Sequence, residues 1–60
     1  MKRTVQVGQV YDEIFGKYTW EVLFVTKRNA LMVDTLTRTD EMLVSVVSLM
    51  TVGGGWRLNK

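Results

Sequence analysis

Apolar and polar residues alternate along much of this chain, and short polar or glycine-containing segments separate the alternating stretches. The clearest stretch is residues 18–22, YTWEV, in which apolar and polar side chains exchange at every position. A period of two residues indicates a β-strand with one buried face. The ten valines of the chain, together with Thr, Tyr, Phe and Trp, fit strands better than helices.

The pattern predicts five strands, over residues 5–15, 18–26, 30–37, 42–47 and 56–59. Gly16, Asn29 and the polar segment 38–41 are turn signals between them. A short 3₁₀ or helical turn is expected at residues 48–50, before the last strand. The predicted core consists of Val7, Val10, Trp20, Val22, Val25, Val44, Val46 and Leu49, closed by Trp56 or Leu58.

Two stretches leave alternatives open. Residues 22–25, VLFV, are apolar at consecutive positions, which indicates burial of both faces, a bulge, or an interface. Residues 40–50 also carry a helical pattern, because Asp40 could cap a helix whose apolar face includes Leu43 and Met50. The β-branched residues Val44, Val46 and Val47 favour a strand there.

The length and composition of the chain narrow its class. Sixty residues, 47 % of them hydrophobic and 23 % charged, predict one globular domain over residues 1–60. Cys and His are absent, which excludes disulfides and the usual zinc sites. A domain of this size without disulfides or a bound metal has a small free energy of unfolding. We therefore expect a homodimer or a higher oligomer. No apolar run is long enough to cross a membrane, and we expect a soluble, cytoplasmic protein without membrane partners.

Four segments carry a resemblance to a known fold: VGQVY at residues 7–11, WEVLFVTKRNALMVDTL at 20–36, LVSVVSLM at 43–50 and GWRL at 55–58. Together they resemble the SH3-like small β-barrels, and in particular short phage and bacterial proteins with similar first and last strands. The resemblance implies an all-β, five-stranded barrel. It also implies a binding module that serves as an accessory protein of a phage or other mobile element, and hence a location in the host cytoplasm.

The glycine run at residues 53–55 raises the question of a phosphate-binding loop. Such a loop needs spaced glycines before a Lys-Ser/Thr pair and a helix N-terminus. Here Trp56, Arg57 and Leu58 follow, close to the end of the sequence given. The run is therefore interpreted as a hinge that folds Trp56 back onto the core.

No catalytic, metal or cofactor-binding residues are predicted. The acidic pairs at residues 12–13 and 40–41 are adjacent, so their side chains would point to opposite faces of a strand. General acid–base catalysis needs two groups that converge on one substrate. Ser45 and Ser48 lack a histidine base. We expect a protein that is not an enzyme.

Two kinds of binding remain. A protein interface on an apolar outer face, with a second copy or a host protein as partner, would use Phe24, Leu31, Leu43, Val47 and Met50. A nucleic-acid interface built from basic turn residues and stacking aromatics would use Lys27, Arg28, Arg57, Lys60, Tyr18 and Trp56. The net charge of +2 is too small to indicate a dedicated polyanion-binding surface, although it permits a local patch.

Overall fold

The computed structural model of the chain describes residues 4–59. Its strands are β1 (Val10–Glu13), β2 (Thr19–Val25), β3 (Asn29–Asp34), β4 (Glu41–Ser45) and β5 (Trp56–Leu58), and a short helix, α1 (Val46–Met50), joins β4 to β5. The all-β prediction is confirmed, with strands shorter than expected.

The strands form one antiparallel sheet in the order β4-β3-β2-β1-β5. Each of β1 to β4 pairs with its neighbour in sequence, and β5 returns to pair with β1. The two edge strands, β4 and β5, do not pair with each other, so the sheet is not closed and the predicted barrel is not confirmed. Helix α1 contacts both edge strands and joins the two sides of the sheet.

A β-bulge in β2 resolves the ambiguity of the VLFV run. Val22 pairs with Met32 and Phe24 pairs with Leu31, so Leu23 is one residue more than the partner strand supplies. After the bulge Val25 pairs with Ala30, on the same face of the sheet as Val22. The extra residue therefore keeps both valines on the inner face and sends Phe24 to the outer face.

The core lies on the inner face of the sheet, the face that carries Tyr11, Trp20, Val22 and Met32. Burial is confirmed for the predicted core residues Trp20, Val22, Val44 and Leu49, while Val25, Val46, Trp56 and Leu58 are partly buried against them. The pattern missed five buried apolar residues: Val5, Tyr11, Ala30, Met32 and Val33. Tyr11 is fully buried because it pairs with Trp20 on one side and Leu58 on the other.

The predicted core positions of Val7 and Val10 are wrong. Val7 is 64 % exposed, and Val10 is only half-buried. Gly8 adopts a positive φ of 94° and lies in a turn, so the strand alternation that would have placed Val7 inside begins only at Val10. From that point the odd-numbered residues of β1, Tyr11 and Glu13, share the face of Trp20 and Trp56.

Residues 40–50 contain both a strand and a helix, the two structures that the sequence pattern allowed for this segment. Residues 41–45 form β4, and the chain then turns into α1, an α-helix of five residues that includes the 3₁₀ or helical turn expected at 48–50 and begins two residues earlier. The N–H of Val46 donates to the carbonyl oxygen of Arg28 at 2.8 Å, which ties the start of α1 to the β2–β3 turn. Leu49 is the buried residue of the helix, and it packs into the core.

We expect Leu49→Ala to destabilise the protein by about 2–5 kcal/mol, because it removes most of a fully buried side chain and leaves a cavity between α1 and the sheet. Chemical denaturation measures the free energy of unfolding. Val52→Ala is the control, because Val52 is fully exposed and its truncation should change stability by less than about 0.5 kcal/mol. Equal effects of the two substitutions would contradict the packing of α1 described here.

Candidate functional site

The glycine run forms a tight turn between α1 and β5. Gly53 and Gly55 have positive φ angles of 84° and 96°. A Cβ atom on Gly54 would lie 3.0 Å from the carbonyl oxygen of Thr51 and closer still to that of Ser48. The N–H of Ile14 donates to the carbonyl oxygen of Gly55 at 3.0 Å, so the turn is attached to the β1–β2 connection. These features match the interpretation of the run as the turn that returns Trp56 to the core, beside β1.

Three of the predicted interface residues form a row on the outer face of the sheet. Phe24 pairs with Leu31, and Leu31 pairs with Leu43, so directly opposed residues place three apolar side chains side by side across β2, β3 and β4. Phe24 and Leu43 are 61 % and 65 % exposed, and Leu31 between them is half-buried. This set is called the apolar row below. Val47 and Met50, also predicted for the interface, are exposed on α1 and do not belong to the row.

Charged residues of opposite sign lie towards the two ends of the outer face, on either side of the apolar row. Glu21 and Glu41 both pair with Val33, one step along the outer face in the direction of the β3–β4 turn. Glu21 forms an ion pair with Arg38, and both partners are partly exposed. At the other end, Lys27 and Arg28 are exposed in the β2–β3 turn. The outer face is therefore acidic at one end and basic at the other.

The β2–β3 turn that carries the two basic residues is internally hydrogen-bonded. The N–H of Thr26 donates to the carbonyl oxygen of Asn29 at 2.8 Å. The Thr26 hydroxyl oxygen accepts from the backbone N–H groups of Arg28 and Asn29, at 3.4 and 3.1 Å. These bonds fix the backbone of Lys27 and Arg28 while their side chains extend into solvent.

The residues predicted for nucleic-acid binding fall into two groups. Tyr18, Trp56 and Arg57 lie at the end of the sheet that carries the β1–β2 turn, whereas Lys27 and Arg28 lie at the opposite end. The seven residues of β2 separate the groups by roughly 20 Å, at about 3.3 Å per residue. Lys60 lies outside the described residues. The nucleic-acid interface therefore stays a prediction whose members are not gathered on one surface.

Arg57 also has a partner within the chain. Its guanidinium lies 3.3 Å from a carboxylate oxygen of Asp12, the residue opposite it on β1. The side-chain amide of Asn59 donates to the same carboxylate at 3.0 and 3.1 Å. Asp12 thus holds Arg57 on the outer side of the β1–β5 pair, away from Glu13.

A cleft lies at the mouth of the inner face, where the β1–β2 turn, the glycine turn and the start of β4 meet. Its volume is about 300 Å³, and it is lined by Glu13, Phe15, Gly16, Met42, Gly55 and Trp56. This cavity is called the Glu13 cleft. Met42 on β4 and Trp56 on β5 line it together although their strands are the two edges of the sheet, so the sheet curls around this end.

The carboxylate of Glu13 is held at the cleft by a hydrogen bond from a core residue, Trp20. Its Oε2 accepts a hydrogen bond of 2.6 Å from the indole N–H of Trp20. Glu13 is half-buried, because it pairs with Trp56 on the inner face of the sheet. No sequence pattern indicates this cleft directly, because Glu13 and Met42 come to line one cavity only when the sheet curls. The strand alternation that places Glu13 on the same face as Tyr11 was the available hint.

The described residues limit the chemistry of these surfaces. Within residues 4–59 there is no group of three or more acidic, histidine or cysteine side chains arranged to hold a metal ion. The same part of the chain has no helix with the length and hydropathy needed to cross a bilayer. The arrangement offers two features for recognition, an apolar strip on the outer face and an acidic cleft at the mouth of the inner face.

Alanine substitutions at Gly54 and Gly16 should differ in cost. Neither glycine has a positive φ, so the difference depends on the neighbouring atoms. A Cβ atom at Gly54 meets the backbone carbonyl of Ser48, whereas at Gly16 it meets the end of the flexible Glu13 side chain. We expect Gly54→Ala to cost more than about 1 kcal/mol and Gly16→Ala to stay within about 1 kcal/mol of the parent protein. Denaturant unfolding tests this order, and a Gly54→Ala protein as stable as the parent would contradict the close approach.

Comparisons of the chain with protein-family models, with curated proteins and with solved structures give no match. We therefore infer its function from its own residues and geometry.

Proposed function

We propose that this protein is a non-enzymatic binding module that docks on protein through the apolar row, and that a second copy of the chain is its partner. The observation that carries the proposal is the register of β2, β3 and β4, which aligns Phe24, Leu31 and Leu43 in one strip. Large apolar side chains in contact with one another on a strand face are typical of a contact surface, whereas isolated ones are not.

The charges beside the row favour self-association. In the proposed dimer, the outer faces of the two sheets contact each other across a two-fold axis, and each strand runs antiparallel to the strand of the other copy that it faces. The acidic end of each outer face then lies over the basic end of the other. Glu41 would then approach Arg28 of the second copy, and Arg28 would approach its Glu41. Neither side chain has an ion-pair partner among residues 4–59. A single surface is therefore complementary to itself in charge as well as in hydrophobicity.

The expected affinity is modest. Burial of an exposed Phe or Leu side chain contributes roughly 1.5–3 kcal/mol, and a two-fold contact buries each residue twice. Association costs roughly 4–15 kcal/mol in lost translational and rotational freedom. Because these contributions are similar in size, we expect a reversible dimer whose population depends on concentration.

The curl of the sheet supports a finer assignment of the fold. We propose that the chain has the SH3-like barrel architecture, with α1 in place of direct hydrogen bonding between β4 and β5. Helix α1 contacts both edge strands, and Met42 and Trp56 from those strands line one cleft. An accessory role in a phage or mobile element is the setting that the sequence resemblance suggests for such a module.

Sedimentation equilibrium tests the docking surface. We expect the apparent mass to rise from 6.9 kDa towards twice that value as the concentration increases through the micromolar range. Leu43→Glu should weaken the dimer at least about tenfold, because it removes buried apolar area and places a charge in the contact. Leu36→Glu is the matched control, since Leu36 is exposed in the β3–β4 turn and does not belong to the row. A monomer at every concentration, or equal effects of the two variants, would refute the proposal.

A charge exchange tests the antiparallel arrangement. Arg28→Glu should weaken the dimer, because it places a glutamate opposite Glu41 of the second copy. Adding Glu41→Lys to the same chain restores opposite charges and should recover most of the lost affinity. A double variant that dimerises as weakly as Arg28→Glu alone would rule out this arrangement.

An oligonucleotide titration of the parent protein tests the competing class of partner. Phosphate contacts made by Lys27 and Arg28 would give binding that falls steeply with salt. Such binding, retained in Leu43→Glu and lost in Arg28→Glu, would favour nucleic acid over a second copy as the partner of this face.

A further inference from the structure

The Glu13 cleft contains a carboxylate without a positively charged partner. The ion pairs formed by residues 4–59 use Glu21 and Asp12, and no cationic side chain of that range reaches Glu13. Arg57 is on the opposite side of the β1–β5 pair and is bound to Asp12, and Lys17, exposed in the β1–β2 turn beside Gly16, forms no ion pair with Glu13. Oε2 of Glu13 accepts the Trp20 N–H, and Oε1 accepts no hydrogen bond from the described residues.

The walls around this carboxylate are aromatic and apolar. Phe15 is 91 % exposed and lies at the rim, Trp56 is half-buried beside Glu13, and Met42 lies across the cleft. An aromatic face attracts a cation through its quadrupole, most strongly when the cation is partly desolvated. A thioether side chain packs well against an alkyl chain. The cleft therefore combines a fixed negative charge, two aromatic rings and an apolar wall.

We propose that the Glu13 cleft binds an organic cation, an ammonium or guanidinium group at the end of an alkyl chain. The positive group would lie at Oε1 of Glu13, and the alkyl chain would pack between Trp56 and Met42. This site lies on the inner face and does not depend on the apolar row or on dimerisation.

The size and charge of the cleft select this class of ligand. A volume of about 300 Å³ is at the lower limit for small-molecule sites and suits one side-chain-sized group. Bare divalent metal ions are excluded because Glu13 is the single carboxylate in the lining and hard cations need several oxygen ligands. An anion such as phosphate is excluded because the charge that lines the cleft is negative.

The absence of a side chain at Gly16 leaves the space that the Glu13 carboxylate occupies. A Cβ atom on Gly16 would overlap Oε1 of Glu13 and lie 2.9 Å from its carboxyl carbon. An alanine at this position therefore has to move Oε1 and the carboxyl carbon of Glu13 from their present positions in the cleft, while the backbone turn is kept. The substitution changes the position of the charge without removing it.

Nuclear magnetic resonance titration of the full chain tests the proposal. The probes are n-butylammonium and n-butylguanidinium, with neutral n-butanol as the matched control. We expect saturable shifts of the Trp20 and Trp56 indole N–H signals with the two cations, and at least tenfold weaker binding of butanol. Butanol that binds as tightly as butylammonium would show an apolar pocket only and overturn the proposal.

Three variants separate the fixed carboxylate from general electrostatics. Glu13→Gln and Gly16→Ala should each weaken cation binding at least tenfold. Asp40→Asn removes the same charge from the β3–β4 turn, outside the cleft, and should leave the affinity within about twofold. Chemical denaturation confirms that each variant is folded. Unchanged binding in folded Glu13→Gln, or equal losses in Glu13→Gln and Asp40→Asn, would refute the site.

Two sources of the cation are then distinguished. A short peptide with blocked ends and one central lysine is compared with free butylammonium. Tighter binding of the peptide indicates a side chain of another polypeptide, and equal or weaker binding indicates a free amine. Both outcomes require the Glu13 carboxylate, and failure of the peptide and the amine together would overturn the proposal. Dimer dissociation by Leu43→Glu should not change the affinity, so this test and the test of the apolar row can fail separately.

Discussion

The register between β2 and β3 shifts by one residue between Val22 and Phe24, and both faces of the sheet depend on this shift. The side chains of a strand alternate strictly, so without the bulge Val25 would point outward and Phe24 would enter the core. With it, Val22 and Val25 both pack inward, and Phe24 lies in line with Leu31. One extra residue, Leu23, thus separates four consecutive apolar positions into a core side and an exposed outer side.

The position of Glu13 has a similar origin in the pairing of β1 with its two neighbours. Tyr11 lies between Trp20 and Leu58, which sets the odd-numbered residues of β1 inward. Glu13 lies two residues after Tyr11 on the same face of the sheet, at the edge of the core, where the cleft opens to solvent. The side chain required at this point has to satisfy the buried indole N–H of Trp20, and the Glu13 carboxylate does so at 2.6 Å. This hydrogen bond uses Oε2 and leaves Oε1 without a donor among the described residues.

The alternation of the sequence predicts the central strands well. The YTWEV segment correctly placed Trp20 and Val22 in the core, because it lies in the middle of the sheet and has one simple period. The pattern predicts Val7 and Val10 in the core, but Gly8 lies in a turn that precedes the strand, and Val10 pairs with Glu21 on the outer face. The row of Phe24, Leu31 and Leu43 was predicted as apolar surface, but its alignment depends on a bulge whose position the sequence leaves open. The Glu13 cleft was missed because Met42 and Trp56 approach each other only through the curl of the whole sheet.

The two candidate surfaces differ in what holds them together, and this difference bears on how they can act. The apolar row depends on strand register, which is fixed by many backbone hydrogen bonds, so its geometry resists single substitutions outside the strands. The cleft depends on the contact between the glycine turn and the β1–β2 turn, in which Gly55 accepts from Ile14. Turns of this kind open more readily than central strands. Because the rows of core side chains separate the two surfaces, occupation of the outer face leaves the mouth of the inner face accessible. A chain of sixty residues therefore has room for both the proposed dimer contact and the proposed cation site, one fixed by the sheet and the other by its turns.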